Sequence, residues 1–96
     1  MASIVLLPVA EADLEDIWLS IALDKPRAAD RQIQMIMARI ERLGAFPEIG
    51  TIRLDLGIFI RLLVESPYVI PYRFDGASKV EIIRVLHGAR DLPELF

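Results

Sequence analysis

Ninety-six residues provide one domain, and leave no room for a second core. A hydrophobic content of 54% and a mean hydropathy of +0.43 give the chain more apolar surface than two layers can hide, so part of it is expected to face a partner. The absence of cysteine removes disulfide frameworks and thiolate metal sites, and a net charge of −3 lacks the basic footprint of a protein that binds by neutralising phosphates.

The charge is uneven. Residues 1–48 hold five Lys/Arg against eight Asp/Glu, whereas residues 49–96 hold six of each, so any cationic site must be local. No run reaches the roughly 18–20 apolar residues that a membrane span needs. The opening stretch from Ser3 to Ala10 has no basic leader and runs straight into Glu11, Asp13, Glu15 and Asp16, unlike a signal peptide. A soluble, cytoplasmic chain is expected.

Ser3 to Leu7 reads as a short buried strand ended by Pro8. Ala10 to Leu23 reads as a helix whose stripe is Ala10, Leu14, Ile17, Trp18 and Ile21, with Glu11 and Asp13 at the positive end of its dipole. Asp24 can cap a second helix, and Pro26 suits its first turn. The stripe Ala29, Ile33, Ile36, Met37, Ile40 and Leu43 carries that helix to about Leu43, where Gly44 follows as a C′ residue. So short a connection makes the pair an antiparallel hairpin.

Residues 45–50 form a loop by their proline and glycine. Period-two patterning then expects strands at 51–54, 58–65, 68–74 and 79–86. If Ser66 and Pro67 are a two-residue loop, Glu65 pairs with Tyr68 and Arg61 with Tyr72. A loop of residues 75–78 would pair Phe74 with Lys79 and Val69 with Arg84. One sheet face then carries Phe59, Arg61, Leu63, Tyr68, Ile70, Tyr72, Ile83 and Val85. The other carries Ile58, Ile60, Leu62, Val64, Val69, Arg73, Ile82, Arg84 and Leu86. Both faces are apolar and one helical hairpin covers only one of them, so a partner chain is expected over the second. Pro71 inside a paired strand implies an edge or a bulge. The expected fold class is α+β: an antiparallel α-hairpin packed on an antiparallel sheet, with an N-terminal strand.

His87 is the only histidine, which excludes multi-histidine metal sites and makes it the one ordinary acid–base candidate near neutral pH. The plainer reading is a strand-end histidine with one backbone hydrogen bond. Arg61, Arg73, Arg84 and Arg90 could converge on a scissile phosphate, or each could pair with a carboxylate such as Glu65, Asp75, Glu81 or Asp91. Charge balance favours pairing. Tyr68 and Tyr72 read as packing residues with wet hydroxyls, and Trp18 as core. Met37 reads as core and Met35 as exposed and adaptable. Asp13, Glu15 and Asp16 read as a solvated helix face. No P-loop, nucleophile elbow or zinc-protease motif is present, and no cofactor or metal is expected.

Several segments stand out together: Ala12-Asp13-Leu14 with Ile17, Pro26 with Ala28 and Ala29, Phe46-Pro47 with Gly50, and above all Tyr68-Val-Ile-Pro-Tyr-Arg73 and Arg84-Val-Leu-His-Gly-Ala-Arg-Asp91. They resemble the RelE/ParE superfamily of toxins from bacterial type II toxin–antitoxin modules, and most closely its ParE branch. Their order and spacing carry the resemblance. It implies a single β-α-α-β-β-β toxin domain over residues 1–96, made together with a ParD-like antitoxin that forms a hetero-oligomer with it. The ParE-like branch poisons DNA gyrase without catalytic residues of its own. The RelE-like alternative is a ribosome-dependent mRNA endoribonuclease, for which Arg61, Arg84 and His87 would be catalytic. Only Lys25 and Lys79 supply lysine, and no tyrosine follows Tyr72, so the ParE-like reading is preferred. Under it, Arg84, His87, Arg90 and Phe96 are the expected target contacts. Met35, Ile60, Leu62, Val64 and Val69 are the expected antitoxin contacts.

Overall fold

A computed structural model of the chain describes residues 1–91. Strand β1 (Ser3–Leu6) leads into helix α1 (Pro8–Ala22) and helix α2 (Pro26–Glu41), which a 3₁₀ turn (Arg42–Gly44) extends. Strands β2 (Thr51–Ile52), β3 (Ile60–Glu65), β4 (Tyr68–Phe74), β5 (Lys79–Ile82) and β6 (Leu86–His87) follow, and the short helix α3 (Gly88–Asp91) ends the described chain. The sheet order is β1-β5-β4-β3-β2, with β6 continuing alongside β4. The sheet is mixed, not wholly antiparallel: β1 runs parallel to β5. The helical hairpin and three strands lie between them in sequence, a crossover long enough for parallel pairing.

Proline sets both helix starts. Pro8 does not merely end β1; with Leu7 extended as N-cap it opens α1, two residues before the expected start. Lys25, not Asp24, is the N-cap of α2, and no side chain caps it. Asp24 and Lys25 instead donate their N–H groups to Ile21 O, so both finish α1. Gly44 does not take the left-handed backbone usual at C′. Its carbonyl accepts Ala2 N–H at 2.8 Å, and an added Cβ would crowd only the tip of the exposed Met1 side chain, at 3.2 Å.

The core lies between the hairpin and one sheet face. Ala10 and Ile17 from α1 and Ile36, Ile40 and Leu43 meet Leu63, Ile70, Tyr72, Phe74, Val80 and Ile82 from the sheet. Trp18 is not core. Its indole is 38% exposed and donates to Asp30 Oδ1 at 2.8 Å, tying α1 to α2 from outside. One residue along a helix is a rotation of about 100°, which swings Trp18 off the line of Ile17.

The β3–β4 hairpin has the expected register, Glu65 opposite Tyr68 and Arg61 opposite Tyr72. The β4–β5 register differs by one: Phe74 pairs with Val80, not Lys79, and Tyr72 with Ile82. The cause is Asp75. Its Oδ1 accepts the N–H groups of Ala77, Ser78 and Lys79, while its own N–H donates to Lys79 O, so Asp75 joins the ladder and only 76–78 remain as loop. A slip of one residue reverses the faces. Val80 and Ile82 therefore take the place of Ile83 on the face of Tyr72 and Phe74, and that face is the core.

The C-terminal strand then breaks. Tyr72 opposes Ile82, but Val69 opposes Leu86 and Tyr68 opposes His87, so one extra residue is taken up within 83–85. Val69 thus faces Leu86 and not Arg84. Pro71 lies across from the break and accepts Ile83 N–H at 3.0 Å. Having no N–H of its own, it cannot complete a regular ladder there, and the strand bulges as the sequence leads one to expect. Strands β2 and β3 are each two residues shorter than expected, because residues 53–59 turn sharply with Phe59 at φ 65°. Among the described residues, no helix is long and apolar enough to cross a membrane.

Candidate functional site

The break after β5 builds a cleft of about 560 Å³ at one end of the sheet, lined chiefly by Asp13, Tyr68, Arg84, His87, Arg90 and Asp91. Asp13 supplies its floor. Its Oδ2 accepts Arg84 Nε at 2.7 Å and Val85 N–H at 3.0 Å, and its Oδ1 accepts Arg84 Nη2 at 3.0 Å. This bidentate pair uses the planar guanidinium fork fully on one side. Hydrogen bonding to Asp13 holds the Arg84 guanidinium above its ordinary pKa, against the smaller effect of burial.

His87 stands half-buried in the same cleft. Its ring meets Tyr68 edge to face, centroids 6.0 Å apart at 83°. Its Nδ1 accepts Arg90 N–H at 3.3 Å, which requires that nitrogen to be unprotonated. Its own N–H donates to Asp91 Oδ2 at 3.0 Å, and Arg90 Nε donates to Asp91 Oδ1 at 3.1 Å. Those two donors, Arg90 first, hold the Asp91 carboxyl below the usual carboxylate range. Gly88 N–H donates to Pro67 O at 2.9 Å and fastens α3 to the β3–β4 turn. Cations and carboxylates thus alternate around the cleft, and a phosphodiester entering it would meet Asp13, Asp16 and Asp91 as well as the arginines.

The structure brings Arg84, His87 and Arg90 together, and leaves Arg61 elsewhere. Arg61 Nη1 donates to Glu48 O and Gly50 O, both at 2.9 Å, and Nη2 lies 3.9 Å from Glu48 Oε2. The Tyr72 hydroxyl completes this second cluster: it accepts Gly50 N–H at 2.9 Å and donates to Pro47 O at 2.8 Å. Tyr72 is fully buried, so its hydroxyl is not wet. Arg73 pairs with Glu81 at 3.8 Å, one of the expected local pairs.

A model of the ParE toxin of type II toxin–antitoxin systems, parDE, matches residues 4–92, from β1 to just past α3. The chain belongs to the ParE toxin family. Toxin ParE1 of Mycobacterium tuberculosis is 29% identical over 89 residues, covering 91% of this chain and 90% of that protein. Toxin ParE3 of Caulobacter vibrioides is 35% identical over 66 residues, covering 69% and 65% respectively. A solved chain described as the chromosomal ParDE TA system from P. aeruginosa superposes with a TM-score of 0.77 at 23% identity, covering 91% of this chain and 96% of that one, and shares its α+β fold.

For a ParE-family toxin, the most informative residue of the cleft is one that the sequence reading set on the solvated face. Asp13 is half-buried, and it lies three residues after Ala10 and four before Ile17, on the same helical arc. A carboxylate on the buried arc needs a cationic partner, and that was the signal for Arg84. Among the expected antitoxin contacts, Ile60 and Val69 are buried within the chain, so they offer no surface. Leu62 is half-buried, Val64 is 50% exposed, and Met35 is exposed on α2. Phe96 lies outside the described residues.

Proposed function

We propose that this ParE-family toxin inhibits DNA gyrase by binding it, without a chemical step of its own, and that a ParD-like antitoxin neutralises it. The wiring of the cleft carries this reading. Arg84 is committed to Asp13, and Arg61 holds the 46–50 loop away from the cleft, so two of the three residues a ribonuclease would need are occupied with other tasks. Stabilising a pentacoordinate phosphorus requires donors aimed at the developing charge. Here the strongest donor is neutralised by a carboxylate at 2.7 Å. The surface offered to gyrase is the end of the sheet bearing His87 and Arg90, with Arg84 behind them. The partner reading draws support from the ParDE description of the structural neighbour and from the exposed Val64 and Met35. Gyrase and its DNA place the action in the cytoplasm, and arrest of replication is the route by which such a module would maintain a plasmid.

Supercoiling by gyrase, measured while the purified chain is titrated with and without its antitoxin, tests this. Inhibition with accumulating cleaved DNA, relieved by antitoxin, is the expected result. No effect at large excess overturns it. Ribosome-dependent mRNA cleavage that disappears in His87→Gln would then establish the ribonuclease instead.

A further inference from the structure

We infer that Asp13 is a positioning residue for toxicity: its carboxylate sets where the C-terminal segment 86–91 stands, and Arg84 works through it without needing to touch the target. The inference rests on the reading of that segment as the gyrase-facing surface. Three observations lead to it. First, the strand breaks at 83–85 opposite Pro71, so the ladder that aligns β5 is not continuous with β6. Second, β6 has two residues and α3 has four, lengths that have no stability of their own. Third, besides the apolar packing of Val85 in the core, the residues at the break are tied to the first helix by one carboxylate, Asp13, which takes three hydrogen bonds from Arg84 and Val85 across more than seventy residues of sequence.

The direction of the effect follows from the geometry. Removing the carboxylate leaves the half-buried Arg84 cation without its bidentate partner, with only the weaker field of Asp91 beside it, and leaves Val85 N–H without its acceptor. Arg84 then has reason to turn to water, and the bulge is free to re-register. Downstream, His87, Arg90 and Asp91 bond to one another, and Gly88 N–H between them bonds to Pro67 O, so a shift at the break reaches them as one small group and not residue by residue. Asp13 itself lies on the first helix, so a change there reaches the segment 86–91 without altering any of that segment's own residues.

The test uses the full chain with Asp13→Asn, Asp13→Ala and Asp13→Glu, read by amide hydrogen exchange and by gyrase inhibition. Asn and Ala are expected to raise exchange at residues 85–88 about tenfold or more, while β3 and β4 keep their protection. Inhibition should fall by a similar factor, and Glu, which keeps the carboxylate, should retain more of both than Asn. Unchanged exchange at 85–88 overturns the inference, as does unchanged inhibition despite faster exchange there. Loss of protection throughout the sheet in both Asn and Glu variants makes Asp13 a general stability determinant and also overturns it. A wild-type chain with no effect on gyrase defeats the target reading alone, and the exchange measurements then decide the positioning role by themselves.

Discussion

At the scale of single residues, the buried hydroxyl of Tyr72 does the most for the loop before the sheet. It joins Gly50 N–H to Pro47 O inside the protein, while Arg61 grips two carbonyls of the same loop. Tyr72→Phe leaves the buried Gly50 N–H and the part-buried Pro47 O without this partner, and is expected to destabilise the fold by about 1–3 kcal/mol in urea unfolding. Gly50→Ala should cost as much or more, since its Cβ would sit 2.6 Å from Tyr72 Cε1 and 3.0 Å from Leu62 O. Burial raises the Tyr72 phenol above its ordinary pKa, with smaller opposing effects from Gly50 N–H and Arg61. The folded protein therefore holds this proton to higher pH than the unfolded chain does. That contribution is complete below about pH 10 and is lost as pH rises through the folded value. Chemical denaturation on either side of pH 10 should show the decline, and Tyr72→Phe should flatten it.

At the scale of elements, periodicity identified every helix and strand that carries the core, but their facing was legible only in part. The β3–β4 register followed from a two-residue loop, because a tight turn leaves no slack. The β4–β5 register did not, because a side chain, Asp75, shortened the loop by joining the ladder. That single residue moved Ile82 into the core and took it off the outer face. Helix α2 is the clearest element, with Ile36 fully buried and Met35 exposed beside it. Ile36→Ala should lower the unfolding free energy by about 2–5 kcal/mol through lost transfer energy and a residual cavity. Val64→Ala, on the outer face, should change it by no more than about 0.5 kcal/mol. If Val64 belongs to the antitoxin footprint, the same variant should nonetheless weaken antitoxin binding measurably by calorimetry, separating surface from core.

At the scale of the whole molecule, much apolar surface remains outside the core. Leu23 is 90% exposed, and Phe46, Ile52, Leu54, Ile58 and Phe59 are exposed around the β2 edge. So much exposed apolar area in so small a chain favours association. The chain expressed alone should be poorly soluble or self-associating in sedimentation velocity, and co-expression with the antitoxin should restore a soluble complex. A monodisperse monomer at high concentration would count against that expectation.

By itself, the sequence determined the inventory: an α+β fold, a helical hairpin, a two-residue turn at 66–67 and a disruption at Pro71, together with the resemblance that named the family. These rest on residues close together in the chain, whose steric and periodic preferences act locally. Only the tertiary structure decided that Asp13 meets Arg84, that Trp18 faces outward, that Arg61 serves a loop, and that Ile60 and Val69 are buried. Those outcomes depend on which distant groups are brought together when the whole apolar surface is buried at once, and small per-residue differences choose among nearly equal local patterns.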